Sequence, residues 1–78
     1  MFKNKNLGRN NLCGENVRKL RGELRLSQRE LADKLQLVGI DVDKNAIQRI
    51  ECGKRFVTDI ELRALSEVLS VSYATLLG

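Results

Sequence analysis

SQRELADKLQLVGIDVDKNAIQRIECGKR, residues 27–55, holds two short amphipathic runs separated by a glycine-marked connection. Ser27 is a natural helix N-cap with Glu30 three residues on, the spacing at which each side chain can bond the other residue's backbone N–H. A helix is therefore expected from Gln28 to about Leu37, with Leu31, Ala32 and Leu35 turned inward. Ala32 is small where two helices would cross, which permits a short interaxial distance. Gly39 breaks the pattern, and Ile40 and Val42 alternate with Asp41 and Asp43 in a short extended connection. Asp43 reads as the cap of the next helix, from Lys44 to about Cys52, with Ile47 and Ile50 inward and Ala46 beside them. Gly53 is placed to end that helix in a left-handed conformation.

Working outward, Val17, Leu20 and Leu24 recur at helical spacing and predict a first helix from about Glu15 to Arg25, with Leu26 plugging the core behind it. Thr58 with Glu61 repeats the capping-box pattern and opens a fourth helix whose apolar positions are Ile60, Leu62, Leu65, Val68 and Leu69. Ser72 caps a final short helix holding Leu76 and Leu77. Dense capping signals and the absence of proline predict an all-α fold, a five-helix bundle with no sheet. Residues 14–78 form this domain, and residues 1–13 read as a basic, flexible N-terminal arm. Lys3, Lys5 and Arg9 stand there among four asparagines with no acidic residue. Such an arm is either a loosely ordered terminus or one that lies along phosphates or enters a minor groove.

Composition limits what the domain can do. Seventy-eight residues make one domain, and 42% hydrophobic against 31% charged residues is a globular balance. Aromatic residues are only 4%, with no tryptophan, so the stacking platforms of single-strand and RNA readers are lacking. A net charge of +4 suits a polyanionic partner without demanding one. No apolar run approaches the roughly 20 residues of a membrane span, and the N-terminus lacks the apolar core of a secretory signal. Histidine is absent and Cys13 lies far from Cys52, which leaves no zinc site and points to two reduced thiols in a cytoplasmic protein. With no histidine, no glycine-rich phosphate loop and no carboxylate pair set against a nucleophile, the expectation is no enzyme, no metal and no cofactor.

The run SQRELADKLQ, then AIQRIECGKR, then IELRALSEVLSVSYATLL resembles the Cro/C1-type (XRE) helix-turn-helix DNA-binding domain of phage and bacterial repressors. The resemblance covers residues 14–78 and is specific through the combination of the three runs. It implies a compact bundle of the lambda-repressor-like type, with the third helix, about residues 44–52, in the major groove of double-stranded DNA. One departure stands out. The family usually has a glycine four residues after the alanine of the second helix, but here that place is Gln36, and the connection is about five residues longer.

Lys44, Asn45, Gln48 and Arg49 fall on the polar side of the third helix, opposite Ile47 and Ile50. Arginine can grip guanine O6 and N7 bidentately, and asparagine can pair with adenine N6 and N7. In similar repressors the base contacts fall at the positions matching Lys44, Asn45 and Arg49, with Gln48 nearby. Gln28 stands at the start of the second helix, where its side chain and the local N–H groups can meet a phosphate. Lys54, Arg55, Arg18 and Arg29 are further phosphate candidates. The resemblance also implies a structural salt bridge between Arg21 and Glu51.

Val57, Val71, Tyr73 and Leu77 are either the last of the core or a homodimer surface formed by the C-terminal helices. The expected function is a sequence-specific transcriptional regulator, a repressor in preference to an activator. The alternative is an antitoxin-like protein-interaction module that also binds its own operator.

Overall fold

The computed structural model describes residues 10–78, which form five helices and, among the described residues, no strand. In chain order these are α1 (Gly14–Glu23), α2 (Gln28–Leu37), α3 (Lys44–Glu51), α4 (Asp59–Leu69) and α5 (Tyr73–Leu77). None is long and apolar enough to cross a membrane.

The starts of α2 to α5 are fixed by the chemistry of their caps. The Ser27 Oγ accepts from the Glu30 N–H at 3.0 Å, while the Ser27 N–H donates to Glu30 Oε1 at 2.8 Å. The same reciprocal pair joins Thr58 and Glu61 at the start of α4. Asp43 Oδ1 accepts from the Ala46 N–H at 2.8 Å, and Ser72 Oγ from the Thr75 N–H at 3.1 Å. Such caps satisfy backbone donors that a helix start leaves over, and each typically contributes about 1 kcal/mol.

The ends of α1 to α4 share one device. One residue turns left-handed, and the N–H after it reaches back to the carbonyl five residues earlier: Leu26 to Arg21, Ile40 to Leu35, Lys54 to Arg49 and Val71 to Ser66. Gly39 and Gly53 take this conformation with φ of +89° and +76°. Arg25 and Ser70 adopt it at +58° and +56°. The turn at Arg25 stops α1 at Glu23, short of the end that its periodicity suggested. Leu24, expected on the inward face, is consequently exposed. Ile60 is a second departure, with 68% of its surface in solvent. At 100° per residue it lies about half a turn from Leu65 and Leu69, which define the buried stripe of α4.

The core draws on every element: Val17 from α1, Leu31, Ala32 and Leu35 from α2, Ile47 and Ile50 from α3, Ala64, Leu65 and Leu69 from α4, and Leu76 from α5. Val42, in the connection between α2 and α3, is buried with them, and Ile40 packs alongside. Leu26 is half-buried behind α1. Val57 and Val71 pack against the core, whereas Tyr73 and Leu77 stand about half exposed.

Most of the expected arm, residues 1–9, lies outside the described residues; its last four do not behave as an arm. The N–H of Asn10 donates to the Gly53 carbonyl at 2.8 Å and its side chain to the Lys54 carbonyl at 3.1 Å. Asn11 is buried, and its Nδ2 donates to the carbonyls of Ile50 at 3.0 Å and Arg55 at 2.8 Å. Its Oδ1 accepts from the Gly14 N–H at 2.7 Å, which serves the start of α1. Cys13 follows as a core residue, so these four residues are part of the packed domain. The physical reason is the end of α3: its last carbonyls need donors, and an asparagine amide supplies two. Replacing Asn11 with alanine takes a donor from the part-buried Arg55 carbonyl and the acceptor from the buried Gly14 N–H, and leaves the Ile50 carbonyl only the Gly53 N–H. The expected loss is about 2 kcal/mol of unfolding free energy, measured by urea denaturation; an unchanged midpoint would remove Asn11 from this role.

Candidate nucleic-acid interface

Helix α3 has two faces with different duties. Ile47, Ile50 and Glu51 are buried on one side. Lys44, Asn45, Gln48 and Arg49 are exposed on the other, and their side chains make no hydrogen bond or ion pair among the described residues. Four polar side chains thus project from a rigid helix with donors and acceptors that no other described residue takes up.

The rigidity comes from Glu51, which is only 6% exposed. Arg21 Nε donates to Glu51 Oε2 at 2.6 Å and Arg21 Nη2 to Oε1 at 3.1 Å, a bidentate grip that locks α3 to α1. Arg21 Nη1 also donates to the Leu26 carbonyl at 2.8 Å, which carries the pairing into the turn before α2. The bonds to Glu51 raise the pKa of the Arg21 guanidinium above its ordinary value, against the opposing effect of burial. A third donor, Gln28 Nε2, reaches Glu51 Oε1 at 3.1 Å. Gln28 therefore ties the start of α2 to the inner face of α3. Its amide is thereby engaged by Glu51.

The other cations separate into two groups. Arg55 is held bidentately by Glu61, Nη1 to Oε1 at 2.9 Å and Nη2 to Oε2 at 2.7 Å. Sequence reasoning placed Arg55 among the phosphate candidates and did not foresee this partner, since Glu61 was assigned only its cap. Arg63 pairs with Glu67 one turn along α4. In contrast Arg18, Arg29 and Lys54 are exposed and unpaired among the described residues. Arg18, Lys19, Gln28 and Gln48 line one open groove between α1 and α3, together with the carboxylates Glu15 and Glu51 and with Arg21 and Cys52. A second cleft, lined by Arg29, Asp33, Gln36, Asp43 and Lys44, lies between α2 and the start of α3. Gln36 is the residue that sequence reasoning treated only as a missing glycine. Its Nε2 donates to the Val42 carbonyl at 2.8 Å across the long connection.

Neither cysteine is disulfide-bonded: Cys13 is buried before α1, and Cys52 is exposed at the end of α3. Among the described residues no group of three or more His, Cys, Asp and Glu is placed to hold a metal ion.

Against this geometry, the family model described as helix-turn-helix matches residues 17–76 of the chain. No curated protein and no solved structure was found to match it.

Two stability tests follow from the paired carboxylates. Glu51→Ala removes the carboxylate that answers the Arg21 charge and accepts from Gln28, leaving Arg21 only the Leu26 carbonyl. The expected cost is about 3 kcal/mol, the low end for breaking a buried pair because Arg21 keeps some solvent contact. An unaltered melting temperature would exclude the pairing as a support. Glu61 gives a pH signature. The Arg55 guanidinium chiefly, with the Thr58 backbone N–H, holds its carboxyl below the ordinary range despite partial burial. A depressed carboxyl contributes stability that is complete above its unfolded value of about 4.3 and is lost as pH falls through the lower folded value. Glu61→Gln lacks that contribution. The gap in urea midpoint between wild type and variant should therefore be constant above about pH 5 and narrow toward about pH 3. A gap that stays level over this range would mean that the charge on Glu61 contributes nothing.

Proposed function

The chain belongs to the Cro/C1-type helix-turn-helix family of DNA-binding regulators, and from that membership we propose that it is a sequence-specific transcriptional repressor that reads double-stranded DNA with α3. The observation that carries the reading is the division of α3 described above. A helix locked by Ile47, Ile50 and Glu51 presents Lys44, Asn45, Gln48 and Arg49 on the opposite side, unpaired among the described residues. Direct readout needs that combination, because each bidentate pair with a base edge discriminates by about 1–3 kcal/mol only while its geometry is held. Arg49 suits guanine, Asn45 and Gln48 suit adenine, and Lys44 suits the acceptors of guanine.

Phosphate contacts fix register and supply affinity without reading sequence. Arg18, Arg29 and Lys54, unpaired among the described residues, are available for this, and Gln28 adds its amide beside the N–H groups that open α2. Arg55 is a weaker member of the set, since Glu61 already answers its charge. A body seated on a promoter blocks access by occupancy alone, and repression therefore needs no further contact.

We extend the proposal to a homodimer. Ile60, Leu62 and Tyr73 line one depression and Leu12, Val57, Leu62 and Leu77 the adjoining one, so α4, α5 and the segment before α1 share an exposed apolar strip. A second copy docked there two-fold symmetrically would match a palindromic site. It would set two α3 helices roughly 34–36 Å apart.

Selection of bound sites from a randomised duplex pool at about physiological salt tests the whole reading. An enriched inverted repeat with half-sites one helical turn apart is the expected result. A single short half-site would retain base readout and remove the dimer. Salt-sensitive binding without enrichment would remove base readout and favour a protein partner for the apolar strip. On the selected site, Arg49→Ala should lose about 1–3 kcal/mol of discrimination at one base pair. Lys54→Ala should weaken all duplexes alike and reduce the log–log salt slope by about 0.9.

A further inference from the structure

We propose that Gln36 is a positioning residue for DNA reading: its bond to the Val42 carbonyl sets where α3 begins, and hence how well Lys44 and Asn45 discriminate bases. The inference rests on the DNA-reading role proposed above and names the device that the long connection requires.

The bonds that close α2 do not reach α3. Val38 N–H and Ile40 N–H both donate to the Leu35 carbonyl, and Gly39 N–H donates to that of Gln36, all within the end of α2. Beyond them the backbone contributes one tight turn, Val42 N–H to the Ile40 carbonyl at 3.1 Å, and then the Asp43 cap. Gln36 spans this gap. It stands in the last turn of α2, and the carbonyl that it holds at 2.8 Å belongs to the peptide leading into Asp43. With the Val42 side chain buried in the core, fixing that carbonyl fixes the rotation of the peptide plane from which α3 departs. A glycine at position 36 would offer no such donor.

The consequence is graded along the helix. The far end of α3 is pinned independently, by Glu51 with Arg21 and Gln28 and by Asn11 on the Ile50 carbonyl. Eight residues span on the order of 12 Å, so α3 is a short lever held separately at its two ends. Releasing the N-terminal pin displaces Lys44 and Asn45 most and Arg49, a turn further on, less. Hydrogen bonds to base edges weaken over a few tenths of an ångström, so small displacements register as lost discrimination.

Gln36→Met keeps the length of the side chain and removes the donor. Binding of this variant is measured by fluorescence anisotropy on the wild-type site, on its single-base variants and on random duplex, with urea denaturation alongside. Lys44→Ala and Asn45→Ala identify the base pairs that those two residues read. At those base pairs discrimination should fall about three- to ten-fold, the range that one hydrogen bond commands. Discrimination at the Arg49 base pair, affinity for random duplex and the salt slope should change less than about two-fold. Gln36→Arg, which restores a donor, should recover the discrimination even though its added charge raises random binding.

Full discrimination in Gln36→Met would overturn the inference while leaving the DNA-reading proposal intact. An equal loss on every duplex, in step with lost stability, would overturn it too, as the mark of a purely structural bond. New loss at a base pair that neither Lys44 nor Asn45 reads would mean that Gln36 touches DNA itself. A wild-type protein that discriminates among no duplexes would remove both proposals.

Discussion

A carboxylate on the inner face of an eight-residue helix is the constraint around which this domain is arranged. Helix α3 is too short to be stable alone, because the cost of its first turn is spread over few bonds. It therefore depends on what its inner face meets. Ile47 and Ile50 supply apolar burial, but burial alone tolerates sliding and rotation. Glu51 does not. A buried carboxylate has to find donors in definite places, and it finds them on α1 through Arg21 and at the start of α2 through Gln28. Three helices are brought into register by one side chain whose misplacement would be costly. The contribution is to uniqueness of arrangement at least as much as to net stability.

The charges around that centre are distributed in keeping with it. Arg21 and Arg55, which run along the core edge, are taken up by Glu51 and Glu61, and both pairings knit neighbouring elements. Glu61 serves twice, as the acceptor for Arg55 and as the reciprocal cap of Thr58, so one residue orders both the turn after α3 and the start of α4. The cations left unpaired among the described residues, Arg18, Arg29 and Lys54 among them, come from α1, α2 and the turn after α3. Pairing inside and availability outside follow from one rule: a charge withdrawn from water must be answered, while an exposed one can wait for a partner.

Much of this was legible in the sequence because much of it is local. Ser27 with Glu30 and Thr58 with Glu61 announce helix starts within four residues, and Ile47 with Ile50 marks an inner face by spacing alone. The end of α1 was less legible, since arginine at position 25 gives no sign that it will turn left-handed. The functions of Asn11 and Gln36 were not legible at all. Each uses a side-chain amide to reach a backbone carbonyl, Asn11 across 39 residues and Gln36 across a connection of irregular shape. A carbonyl has no sequence signature, because every residue carries one. Arg55 shows the same limit from the other side: its charge was evident, and its partner was hidden behind that partner's more obvious capping role.

The separation of duties on α3 has a consequence for how such a domain can change. Stability is invested in Ile47, Ile50 and Glu51 and in the residues that close the two ends of the helix, Gln36 and Asp43 at one and Asn11 and Gly53 at the other. Lys44, Asn45, Gln48 and Arg49 take no part in any of these bonds. Exposed substitutions away from such features usually alter stability by less than about 0.5 kcal/mol, whereas a base-edge pair is worth about 1–3 kcal/mol. The outer face can therefore vary its chemistry by more than the cost that the fold would feel. That freedom holds only while the helix keeps its place, so under the proposed reading of DNA by α3 the residues that fix its two ends would limit what the outer face can read.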